Sequence, residues 1–89
     1  MLIPGKLYRL NKRGLENVKT HGTLFLQDDK GFFSVDKDAI FLFLKSEPMA
    51  NSYHGSGPNS KQIMALYFLY NDKVGKATDH ILEMFEEAT

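Results

Sequence analysis

Eighty-nine residues give room for one domain with one core, and none for a second. Cysteine is absent, which excludes disulfide staples and thiolate metal sites and favours a reducing, cytoplasmic setting. Eleven basic residues balance eleven acidic ones, and the 43% hydrophobic and 25% charged fractions are those of an ordinary globular chain.

The first ten residues, MLIPGKLYRL, lack the basic start and apolar centre of a signal peptide. No apolar run nears the ~20 residues of a membrane helix. Pro4-Gly5 signals a turn, and residues 6–10 then alternate as a first strand, with Tyr8 and Leu10 on one side and Leu7 and Arg9 on the other. Residues 11–22 are polar and broken by Gly14 and Gly22, so they read as a long excursion with a helical turn at 15–18. Residues 23–26 form a second strand. Asp28-Asp29-Lys30-Gly31 is a turn, and residues 32–35 form a short third strand. A polar turn at 36–38 leads into AIFLFL at 39–44, a fourth strand that is apolar on both faces.

Residues 47–61 crowd together Pro48, Asn51, Ser52, Gly55, Ser56, Gly57, Pro58, Asn59 and Ser60. On composition this is a flexible surface loop. Residues 63–70, IMALYFLY, form the longest apolar run, and Ile, Tyr and Phe favour a pleated surface. A buried helix would show the same apolar run, but the turn residues Asn71-Asp72-Lys73 and the short return at 74–77 favour a hairpin. Leu42 and Leu66 are expected in the core. Near the C-terminus, Thr78 or Asp79 can cap a short helix, with Ile81, Leu82 and Phe85 on its apolar stripe.

Charge is unevenly spread. Residues 1–21 carry Lys6, Arg9, Lys12, Arg13 and Lys19 against Glu16 alone, a net of +4, so the remainder carries −4. The expectation is a bipolar surface.

Several features resemble SH3-like barrels: short strands, a long first excursion, tight later turns and a closing helical segment. FSVDKDAI at 33–40 looks like a turn with an acidic residue just before an apolar strand. YNDKVGKA at 70–77 looks like that family's later hairpin. There is no tryptophan, so the aromatic pair of proline-peptide binders is missing, and the loop at 47–61 replaces a tight turn. The expected fold is mainly β: a small five-stranded SH3-like barrel, or a strongly bent antiparallel sheet, with a short C-terminal α-helix. Residues 1–89 make one domain with a flexible loop at 47–61.

The chemistry-bearing residues are sparse. His21, His54 and His80 share no short ligand spacing, so neither a metal nor any other cofactor is expected. Ser52 near His54 lacks an orienting acid, so no enzyme is expected. Gly55-Ser56-Gly57 lacks the Gly-Lys-Ser/Thr ending of a phosphate loop. Most of the aromatic residues lie in apolar runs and read as core, although Phe32 and Phe33 are adjacent and one must face away.

The leading expectation is a non-enzymatic protein-binding module. Its candidate partner-binding residues are Phe32, Phe33, Tyr53, His54 and Tyr67. The partner is another protein or a second copy, because strands apolar on both faces need more cover than one short helix gives; a homodimer is expected. The alternative is a nucleic-acid-binding barrel that uses Lys6, Arg9, Lys12, Arg13 and Lys19, with Tyr8 as a stacking residue. Size and style of sequence suit a phage or mobile-element accessory protein.

Overall fold

The computed structural model describes residues 2–21, 24–55 and 57–88. Seven strands join one antiparallel sheet that curls into a half-barrel: β1 (Leu7–Leu10), β2 (Leu24–Asp28), β3 (Gly31–Val35), β4 (Ile40–His54), β5 (Lys61–Tyr70), β6 (Lys73–Thr78) and β7 (Phe85–Glu87). The order across the sheet is β3-β2-β6-β5-β4-β1-β7. One helix, α1 (Lys12–His21), follows β1, and a 3-10 segment (Asp79–Met84) precedes β7. Among the described residues, no helix is long and apolar enough to cross a membrane.

Strand alternation decides which side chains meet. Successive side chains point to opposite faces, so one set of positions is buried together. Tyr8, Leu10, Leu26, Val35, Phe41, Phe43, Leu66 and Phe68 fill the concave side, and Ile81 and Phe85 close it. Phe41 is fully enclosed, with its ring centroid 5.4 Å from that of Phe85 and 5.9 Å from that of Phe68. Edge-on and tilted rings at this spacing are the favoured aromatic geometry. The β5–β6 hairpin turns through Asn71 and Asp72, both at positive φ (48° and 64°). Two consecutive left-handed residues match the twist of the flanking strands.

Several expectations need correction. Among the described residues the sheet has seven strands rather than five: the expected second and third strands pair as a hairpin at one edge, the return after Asn71-Asp72 is a full strand, and residues 85–87 add an unforeseen strand at the other edge. The C-terminal α-helix is instead the 3-10 segment plus β7. The excursion after β1 holds ten helical residues. Its first turn is capped by Asn11, whose Oδ1 accepts a hydrogen bond from the Gly14 N–H at 2.9 Å. Residues 47–54, expected as loop, continue β4. The register shifts between Phe43 and Lys45 and again between Pro48 and Tyr53, so the strand passes Pro48 by way of an irregularity, where a missing N–H is tolerated. A 3-10 turn at Gly57–Asn59 completes the connection, and Ser56 lies outside the described residues. Leu66 is buried as expected, whereas Leu42 is half-buried on the convex side.

Candidate functional site

The register gives the convex face a definite composition. Leu7 pairs with Leu42, Leu42 with Leu69, and Leu69 with Val74. Partnered residues share a face, so these four aliphatic side chains form one continuous row across β1, β4, β5 and β6. Leu7 is 47% exposed and Val74 50%. Ile40, two residues before Leu42, extends the row and is also exposed. The segment expected to cover this face does not reach it: Ile81 and Phe85 lie in the concave core.

A second row runs beside the first. Lys45 pairs with Tyr67, Tyr67 with Lys76, Lys76 with Gln27, and Gln27 with Phe32. Phe32 is 73% exposed on β3, an edge strand. Two strands lie between those of Phe32 and Tyr67, so their backbone positions are about 14 Å apart across the sheet at the usual strand spacing, with both side chains on one face. A groove of about 740 Å³ opens there, lined by Gln27, Asp28, Tyr67, Val74 and Lys76 among others. Tyr67 is fixed in place: its hydroxyl donates to Glu47 at 2.6 Å. That bond, with Lys45 beside it, holds the Glu47 carboxyl below its usual 4.5, and the same bond raises the Tyr67 phenol above 10.0.

The remaining expected partner-binding residues lie elsewhere. Phe33 faces the concave side, where its ring stacks on Tyr70 at 6.3 Å with Lys73 over it. Tyr53 and His54 sit at the far end of β4, opposite Gln62 and Lys61. Thus Phe32 and Tyr67 share a surface, and Phe33, Tyr53 and His54 do not join it.

Compared with protein-family models, curated proteins and solved structures, the chain matches none.

The basic N-terminal segment does not form a positive pole. β1 pairs antiparallel with β7, which places Lys6 at 3.0 Å from Glu87 and Arg9 at 3.0 Å from Glu86. Arg13 on α1 reaches Glu83 at 2.7 Å. The two charged ends of the sequence therefore neutralise each other in space. Lys12 and Lys19 are exposed on α1. Tyr8 is only 5% exposed, and its hydroxyl accepts a hydrogen bond from the Ile3 N–H at 2.7 Å, so its ring cannot serve as a stacking platform.

A constellation that sequence spacing hid lies at the other end of the sheet. His54, at the end of β4, places Nε2 at 2.6 Å from Asp79 Oδ1. His80 is adjacent, its ring centroid 6.0 Å from that of His54. One ligand atom from each of His54, Asp79 and His80 lies within 4.8 Å of the others. Asp79 Oδ2 also accepts a hydrogen bond from the Met64 N–H of β5 at 3.1 Å. Burial pushes the Asp79 carboxyl upward, but the hydrogen bonds to His54 and from the Met64 N–H, with the electrostatic influence of the two neighbouring imidazoles, outweigh it, so it lies below 3.8. Among the described residues, these three are the group placed to hold a metal. The only sequence signal was the Asp79-His80 pair, since His54 is twenty-five residues away from Asp79.

Proposed function

We propose that this chain is a non-enzymatic protein-binding module that works through the convex face of its sheet, and that its first partner is a second copy of itself. The observation that carries this is the continuous row Leu7–Leu42–Leu69–Val74, which the register assembles and whose ends, Leu7 and Val74, stay exposed among the described residues. Each such side chain contributes roughly 1.5–3 kcal/mol when fully buried, and association must offset several kcal/mol of lost freedom, so a few residues suffice only if they act together. A row running straight across four strands meets that condition against an identical row related by a two-fold axis. Phe32 and Tyr67 flank it and supply aromatic anchors of the kind that dominate interfaces.

An elaborated SH3-like barrel is the finer fold reading that goes with this function. Five of the strands, in the order β7-β1-β4-β5-β6, are neighbours, and α1, β2 and β3 fill the long first excursion between β1 and β4. The tight β5–β6 turn and the helical segment before β7 complete the pattern. Fold alone assigns no role, so the function rests on the surface.

The test is sedimentation of the wild type and of the Leu7→Lys/Val74→Lys double variant at micromolar concentration. The wild type should sediment as a dimer and the variant as a monomer whose circular dichroism is that of the folded wild type, with a lower melting temperature because association no longer adds to its stability. A wild type that stays monomeric across the range overturns self-association through this face. Nucleic-acid binding has less to recommend it, because Lys6, Arg9 and Arg13 already face carboxylates.

A further inference from the structure

We propose that His54, Asp79 and His80 form a binding site for a divalent transition-metal ion of the zinc class. The proposal is independent of the convex face. Two imidazoles and one carboxylate are a common ligand set for Zn²⁺ and its neighbours, with metal–ligand bonds of about 2.0–2.2 Å. A tetrahedral ion with such bonds needs ligand atoms about 3.4 Å apart. The three atoms lie within 4.8 Å of one another, with His54 Nε2 and Asp79 Oδ1 as close as 2.6 Å, and both histidines are exposed, so side-chain rotations that part this pair by about 0.8 Å and draw in His80 give the ion its place.

The support behind the ligands matters as much as the ligands. Asp79 is held by the Met64 backbone N–H through Oδ2, which leaves Oδ1 directed at His54. Thr78 Oγ1 lies 2.8 Å from His80 Nε2 and 3.3 Å from its Nδ1, so a hydroxyl is at hand to orient that ring. Hydrogen bonds of this kind orient metal ligands and tune their basicity. At 2.6 Å, His54 Nε2 and Asp79 Oδ1 share a hydrogen bond, and an ion that takes the place of its proton must part the two atoms.

The site would also have a mechanical effect. His54 ends β4, whereas Asp79 and His80 follow β6. An ion shared among them ties the tip of the long β4–β5 hairpin to the start of the 3-10 segment. With three protein ligands, a fourth position remains for water or for a donor from a partner.

The test uses untagged full-length protein, titrated with Zn²⁺ by calorimetry and with Co²⁺ by visible absorption. The expected result is one ion per chain, with Co²⁺ producing the visible bands of a low-symmetry tetrahedral complex. Nuclear magnetic resonance should show the ring protons of His54 and His80 moving on Zn²⁺ addition while those of His21 stay. His54→Ala and His80→Ala should each weaken Zn²⁺ at least tenfold, while His21→Ala leaves it unchanged, with circular dichroism reporting whether each variant is folded. Absence of saturable one-to-one binding to the wild type overturns the proposal, as does binding that survives in the His54→Ala/His80→Ala double variant. In either case the cluster is a hydrogen-bonded ion pair that fastens the hairpin, and nothing more.

Discussion

Replacing Gly14 by alanine sets two effects of known size against each other. Gly14 lies in the first turn of α1 and is buried. In a helix interior alanine is favoured over glycine by about 0.8–1.0 kcal/mol, so propensity alone predicts a gain. A Cβ at this position, however, would stand 2.5 Å from the Met84 carbonyl oxygen and 3.1 Å from Leu10 Cδ2. The carbonyl cannot easily withdraw: it accepts a hydrogen bond from the Asn11 N–H at 2.8 Å, and Asn11 Nδ2 donates to the neighbouring Glu83 carbonyl at 2.7 Å. Relief must come from moving α1 away from the 3-10 segment, and overpacking of this kind costs roughly 1–3 kcal/mol. At 2.5 Å from a backbone oxygen the clash belongs at the upper end of that range, so the net expectation is a loss of about 2 kcal/mol once the propensity gain of about 1 is subtracted. In a domain of this size each kcal/mol lowers the melting temperature by about 4–8 °C, so a fall near 10 °C should be visible in a thermal melt. The control is Lys19→Ala, exposed on the same helix, which should change little. If Gly14→Ala melts at or above the wild type, α1 does not pack on the C-terminal segment in the way described.

Asn11→Ala removes the α1 cap and the bond to the Glu83 carbonyl together, and urea denaturation should show a loss of about 2 kcal/mol. Leu66→Ala should cost about 2–5 kcal/mol by leaving a cavity, and Leu42→Ala distinctly less because that side chain is half-exposed; equal losses would contradict the assignment of faces. Asp72→Gly should stabilise the β5–β6 hairpin by about 0.5–1 kcal/mol, since a non-glycine residue at φ 64° carries a left-handed cost, and a lower melting temperature would count against the turn geometry. The Glu47–Tyr67 pair should leave a mark at both ends of the pH scale. Glu47 is depressed when folded, so its contribution is complete above 4.5 and is lost as pH falls through the folded value; Tyr67 is raised, so its contribution is complete below 10.0 and is lost as pH rises through the folded value. Ultraviolet titration should show the Tyr67 phenol returning toward 10.0 in Glu47→Gln, and no movement would break the link.

The strand alternation around Tyr8 and Leu10 was plain in the sequence because a single buried face leaves a period of two. So was the hairpin around Asn71-Asp72, where turn chemistry is local. The continuation of β4 past Pro48 was hidden, because its residues are those of a loop and the irregularities that accommodate them depend on pairing with β5. Helix α1 was hidden by Gly14, which reads as a helix breaker but is needed where a backbone carbonyl comes close. β7 is three residues, two of them glutamates, and only their partners on β1 make it a strand. The convex row was half legible: two-sided apolar strands announced an outer apolar face, but which residues would align needed the register. Of the cluster at His54 only the Asp79-His80 pair was legible, since nothing in a sequence marks two residues twenty-five positions apart as neighbours.

The pairing of β1 with β7 has a consequence for how the protein comes into being. Leu10 meets Phe85, and Tyr8 meets Glu87, so nearly the whole chain lies between partners. During synthesis at ~5–20 residues per second, Tyr8 and Phe41 emerge early and wait for the last ring that encloses them. That ring belongs to Phe85, seventy-five positions after Leu10 in the chain. The concave core can therefore close only once residue 85 has emerged, and until then Phe41 and Phe68 lack the ring that packs on both of them.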